Sequence, residues 1–149
     1  MSRSRRVARV VLAFLPALCV MAVIFMWSAQ HGPTFVSDPT GDVVFKKAAH
    51  FVGYAILGAT LMLAIAVATD RSADGSGARA AALERRVRVG AWAVATAYAA
   101  SDELHQVFVS GRTPSVVDVA IDSIGAAAGV ALLAWVLRRR RVRRAPAAR

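Results

Sequence analysis

Between Ser101 and Gly125 the chain reads SDELHQVFVSGRTPSVVDVAIDSIG. Asp102, Glu103, His105, Gln106, Arg112, Asp118 and Asp122 lie in this stretch, between two apolar runs, Val89 to Ala100 and Ile124 to Leu137. A soluble protein could carry such a segment on its surface. Flanked by runs that read as lipid-facing helix, the same residues must lie inside or at the edge of a bilayer. Ionisable side chains are costly there and mark a functional site.

The rest of the chain supports the membrane reading. It has 149 residues, 57% of them hydrophobic, and a mean hydropathy of +0.50. The apolar residues gather in blocks of about 20, the length that spans a hydrocarbon core: Val10 to Trp27, Ala48 to Ala68, Val89 to Val109 and Val116 to Leu137. Four such helices leave no room for a separate soluble domain. The expectation is one all-α domain over 1–149, a four-helix transmembrane bundle with helices at about 7–29, 46–68, 87–109 and 115–137 and a flexible basic tail at 138–149.

The net charge of +10 could point to nucleic acid, but its distribution does not. Of the 19 Lys and Arg, sixteen fall in the N-terminal tail, the central loop and the C-terminal tail, and only Lys46, Lys47 and Arg112 elsewhere. This alternation is the positive-inside bias, and it predicts both termini in the cytoplasm of a multi-pass plasma-membrane protein. A nucleic-acid surface would gather those charges on one folded face, so no nucleic-acid partner is expected. The closing RRRRVRR reads as a stop-transfer signal that attracts anionic headgroups.

MSRSRR followed by an apolar run resembles a signal peptide. The run is longer than the usual apolar region of such a peptide and no small-residue cleavage site follows, so an uncleaved first helix is expected, kinked at Pro16. The single cysteine, Cys19, is expected to be a buried free thiol. Ser28 to Phe45 reads as an outer loop with His31, Gly32, Pro33, Pro39 and Gly41 as breakers, and Thr69 to Arg88 as a flexible linker whose second half extends the third helix.

Spacing then gathers the polar residues. Lys47, His50 and Tyr54 share one face of the second helix, continued by Gly58 and Leu61. Gly111 makes the outer turn, and Pro114 opens the fourth helix. Asp118, Asp122, Gly125 and Gly129 follow at i, i+4, i+7 and i+11, so both aspartates point inward with a small-xxx-small packing pattern. At about 1.5 Å per residue, Glu103 lies roughly 9 Å in from the outer end of its helix, with Asp122 and Tyr54 at a similar depth. The candidate site is therefore one layer holding Lys47, His50, Tyr54, Asp102, Glu103, Gln106, Arg112, Asp118 and Asp122.

Each residue alone has a plainer role. Asp118, three residues after Ser115, completes a capping box. Arg112 holds the outer turn by pairing with Asp102 or Asp118. His50 is hydrogen-bonded near a helix end, and Tyr54 is an interfacial aromatic. Asp102 and Glu103 project about 100° apart and are not expected to face one partner, so one of them reaches for headgroups or Arg112. Taken together, the cluster holds more groups than a structural network needs. A carboxylate at that depth could act as a general acid or base. His50, Glu103, His105 and Asp118 have the types of metal ligands without a metal-binding spacing, so no metal and no cofactor are expected. No glycine-rich phosphate loop or nucleophile elbow occurs.

Four ordered motifs carry a resemblance: Ser28-Ala29-Gln30, then Lys47-x-x-His50-Phe51-x-x-Tyr54, then Asp102-Glu103-x-x-Gln106-x-Phe108-x-x-Gly111-Arg112, then Asp118-x-x-x-Asp122-x-x-Gly125. They closely resemble the VanZ-like family of bacterial membrane proteins, which is named from a protein associated with teicoplanin resistance. The resemblance implies a small multi-helix membrane protein and no particular reaction. Two positions depart from the family's pattern: Lys46 stands where Asp is common, and Asp122 where Asn is common.

Three functions follow as expectations. The first is an envelope protein binding a lipid headgroup, a cell-wall precursor or a glycopeptide in an outer polar pocket. The second is an enzyme on a lipid-linked substrate, with Glu103 as base and Lys47 and Arg112 steadying phosphate. The third is a small transporter, which would need to dimerise because four helices scarcely enclose a path.

Overall fold

The computed structural model describes residues 2–30, 37–69, 77–110 and 112–144. All regular structure among them is helical: α1 (Arg3–Ser28), α2 (Pro39–Ala68), α3 (Ala78–Gln106) and α4 (Val116–Arg144). Three of these, α1, α2 and α4, are long and apolar enough to cross a membrane. α3 has the length, 29 residues, but ends in the polar run Ser101 to Gln106, which dilutes its alanine-rich body.

The boundaries differ from the expected ones in an informative way. α2 begins at Pro39 rather than near Lys46, because Asp38 caps it: its carboxylate accepts from the Gly41 amide at 2.6 Å, and Pro39 occupies the first helical position. Pro39 and Gly41, expected as loop breakers, are thus helix starters. α3 begins at Ala78, in keeping with an extension of that helix into the linker, and ends at Gln106 rather than 109. α4 runs through Arg138 to Arg144, which were expected to be a flexible tail. Arginine is a good helix former, and the Arg139 guanidinium covers the Trp135 ring at 4.0 Å. α1 continues unbroken through Pro16. The expected roles of His31, Gly32, Pro33 and Gly111, and of residues 70–76 and 145–149, lie outside the described residues.

The helices form an up-and-down bundle in which α2 touches all three others. Its closest partner is α4, and the two run parallel: Gly125 lies against the Phe51 backbone and Gly129 against that of Ala55. Gly58 of α2 lies against Ala126 in return. A Cβ at any of the three would strike a main-chain carbonyl, so side-chain absence is what lets the backbones approach. Below the glycines the core closes with Leu57, Leu61, Met62, Ala91, Ala95, Ala99, Ala126 and Val130.

α1 is held differently. It packs on α2, touches α3 lightly and does not reach α4. Only Ala17, Ile24 and Ser28 of its 26 residues are buried. Cys19 is exposed on its outer face, contrary to the buried thiol expected. A helix apolar all round gives no periodic signal for which face is covered.

Candidate functional site

One end of the bundle, where α1 and α3 finish and α2 and α4 begin, gathers the polar side chains. The parallel α2·α4 seam sets the first pairs. Two turns from Ala55 on α2 and three from Gly129 on α4, Lys47 forms an ion pair with Asp118. Between these levels the His50 Nδ1 lies 3.4 Å from the Asp122 Oδ2. One close-packed register thus serves the glycine contacts in the middle of the α2·α4 seam and the polar pairs at its end. Lys46, one residue earlier, pairs at 2.6 Å with Asp42, a largely buried residue one turn back on α2.

The end of α3 contributes both of its acidic residues inward, a correction to the expectation that only one would be. Asp102 and Glu103 are each buried. Gln106 lies three and four residues on from them, and its Nε2 donates to Glu103 Oε1 at 3.2 Å and, more weakly, to Asp102 Oδ2 at 3.5 Å. The carboxylates then diverge to different helices. Asp102 accepts from Ser28 Oγ of α1 at 2.6 Å. Glu103 accepts from the Ser115 amide at the start of α4 at 2.8 Å. In a capping box that amide would go to Asp118. Here Glu103 takes it and leaves Asp118 to Lys47.

Arg112 also departs from expectation. It pairs with neither Asp102 nor Asp118 among the described contacts; its Nη2 donates to the carbonyls of Trp27 at 3.5 Å and Gln30 at 3.4 Å. A guanidinium there satisfies the orphan carbonyls at the end of α1 and complements the negative end of its dipole. Tyr54 is no interfacial aromatic: it is wholly buried below His50, its hydroxyl without a hydrogen-bond partner. Both Asp122 oxygens and Asp102 Oδ1 are likewise buried without one. His105 turns away from the cluster, its ring 4.7 Å from Phe25 of α1.

A cavity of about 150 Å³ opens among these groups. Lys46, Lys47, His50 and Arg112 line it together with Glu103, Gln106, Asp118 and Asp122. Of the nine residues expected at the site, seven face this cavity; Tyr54 lies beneath it and Asp102 beside it, toward α1. Sequence reasoning missed Asp42, Lys46, Ser28 and Ser115 as members. Among the described residues no three His, Cys, Asp or Glu side chains converge to hold one ion.

The family model described as VanZ/LLP1 matches residues 4–138, a span that takes in α2 and α3 entirely, most of α1 and α4, and every residue of the cluster. The chain belongs to the VanZ/LLP1 family. No curated protein and no solved structure matches it. In this VanZ/LLP1 protein, then, the family's span and the polar cavity coincide. Lys46 and Asp122 both line the cavity, and Asp42 and His50, the residues beside them, come from α2.

Proposed function

We propose that the outer cavity binds the headgroup of a membrane lipid, one carrying both a phosphate and an ammonium group. The observation that carries this reading is the lining: three fixed cations, Lys46, Lys47 and Arg112, and three carboxylates, Glu103, Asp118 and Asp122, border one cavity of about 150 Å³. Walls of both signs complement a ligand of both signs and penalise a simple anion. Size supports a small headgroup. An apolar cavity of about 150 Å³ takes roughly one six-membered ring, so a whole glycopeptide or cell-wall precursor could present only a fragment. The protein acts in this reading at the outer leaflet of the plasma membrane, with both termini cytoplasmic and its arginine-rich helix ends on anionic lipid.

Catalysis by Glu103 is less well supported. One of its oxygens is engaged by the Ser115 amide and the other by Gln106, so it serves better as the tie between α3 and α4. Mass spectrometry of lipid extracted from protein purified in mild detergent tests the reading. A stoichiometric zwitterionic lipid, lost in Lys47→Ala, is expected; a purely anionic lipid or a glycopeptide retained in its place would replace it. Glu103→Gln separates binder from enzyme, since it should weaken a binder in part and abolish general-base turnover outright.

A further inference from the structure

The two ends of the bundle wear their charges in opposite ways. At the arginine-rich end, Arg6, Arg9, Arg85 and Arg138 are exposed. At the polar end, no ionisable side chain is exposed among the described residues 25–30, 41–50 and 101–118. The charged groups there turn inward, onto the cavity or onto one another, and apolar ones turn out. Phe25 of α1, Val44 of α2, Leu104 of α3 and Val116 of α4 are all exposed, as is Phe108 in the turn between α3 and α4. Val116 at 86% and Phe108 at 80% are the most exposed large apolar side chains among the described residues. Polar groups inside and apolar groups outside are what a hydrocarbon solvent selects. Because this rim includes all four helices, one docked helix could not cover it.

The backbone of the α3–α4 turn suits the same solvent. The amides of Val107, Phe108 and Val109 donate to the carbonyls of Leu104, His105 and Gln106 at 3.0 to 3.3 Å. The Arg112 amide donates to the Val109 carbonyl at 3.2 Å, and the Ser115 amide to Glu103. Pro114 has no amide hydrogen to place. A turn in water can leave such donors to solvent, whereas backbone at membrane depth must find partners within the protein.

Length sets the level. At about 1.5 Å per residue, α4 rises about 33 Å from Arg138 to Val116, and α1 about 27 Å from Arg9 to Trp27. A hydrocarbon core is about 30 Å thick. With the exposed arginines in one headgroup layer, the apolar rim reaches the opposite boundary of the hydrocarbon.

We infer that the α3–α4 turn is immersed in the lipid bilayer, with Phe108 and Val116 among acyl chains at the hydrocarbon boundary. Ser37 and Asp38, exposed just ahead of α2, stand beyond that boundary in water. The inference does not depend on which molecule fills the cavity. It puts the cavity level with the headgroup layer, so a membrane lipid reaches it without leaving the bilayer.

The test places a bimane fluorophore on single cysteines in a Cys19→Ser background, with the protein in phosphatidylcholine vesicles. Phe108→Cys and Val116→Cys replace exposed side chains and have little reason to misfold. Leu132→Cys, exposed within α4, is the hydrocarbon reference and Ser37→Cys the aqueous one. Phosphatidylcholine brominated in its acyl chains is expected to quench the label at 108 and 116 as it does at 132. Quenching by aqueous iodide, strong at 37, is expected to be lost at both. Iodide quenching at 108 and 116 equal to that at 37 would put the turn in water and overturn the inference. Protection from both quenchers would mean that a second copy or another protein covers the turn, and would overturn it as well.

Discussion

α1 and α4 both rest on α2, and they are held in opposite ways. α4 lies parallel to α2 with the two backbones in contact through Gly58, Gly125 and Gly129. Its register is set by steric exclusion, so it cannot slide without a side chain meeting a main-chain carbonyl. α1 lies antiparallel to α2, leaves a groove of about 500 Å³ beside it, and is held by bonds near its outer end: Ser28 to Asp102, and Trp27 and Gln30 to Arg112. One further bond lies deeper, from Tyr98 Oη to the Met21 carbonyl at 2.7 Å. The difference assigns roles. The close-packed seam carries the Lys47–Asp118 and His50–Asp122 pairs, and the helix with only three buried residues borders the apolar groove.

The largest expected effect breaks the immobile side. Gly129→Leu places a side chain where even a Cβ would meet the Ala55 carbonyl. Overpacking alone costs about 3 kcal/mol, and the only relief is separation of α2 from α4. Thermal unfolding in detergent should show a large fall in midpoint, and headgroup binding should vanish with it. A variant that unfolds like the wild type would mean that the seam is not close-packed.

The second breaks the other side. Ser28→Ala removes the donor to Asp102, a carboxylate whose other oxygen is already buried and unpartnered. That leaves its Oδ2 only the weak 3.5 Å bond from Gln106 Nε2, and losing a short hydrogen bond to a buried carboxylate costs about 2 kcal/mol. The loss should be local: amide exchange should quicken along α1 and stay unchanged in α4. Equal quickening in both helices would refute the contrast between them.

The third sharpens it. Lys47 and Asp118 are each about one-third exposed, so their pairing is worth only about 0.5 to 1 kcal/mol. A double-mutant cycle with Lys47→Ala and Asp118→Ala measures it. A coupling several times larger would mean that the charges, and not the glycines, hold α4 in register.

The seam was the part most legible in the amino-acid sequence. Positions 118, 122, 125 and 129 repeat at helical spacing, as do 47, 50, 54 and 58, and a helix has one face on which such a repeat can lie. What stayed hidden has no periodic signature. The start of α2 depends on the Asp38 side chain bonding three residues ahead, and Pro39 and Gly41 read equally well as a loop. Arg112 binds main-chain carbonyls, which no residue type announces. Asp102 and Glu103 are neighbours with diverging directions, and only the placement of α1 and of Ser115 gives each its own buried partner. α1 itself is apolar on every face, so neither the exposure of Cys19 nor the groove beside α2 could be read from its composition.

The smallest effect is expected in the middle of the seam. Asp122 is almost wholly buried, lies 3.4 Å from His50, and has no hydrogen bond to either oxygen. A carboxylate so placed loses its hydration without full repayment, so its contribution to stability is close to neutral. Asparagine has nearly the same volume and brings a donor as well as an acceptor, which suits His50 above and the unpartnered Tyr54 hydroxyl nearby. Asp122→Asn should therefore change stability by no more than about 0.5 kcal/mol. It should also leave lipid retention intact, whereas Asp122→Ala, which empties the position, should not. If Asp122→Asn folds normally and yet releases the lipid, the negative charge itself is the recognition element, and Asp122 belongs with Lys47 as a ligand contact.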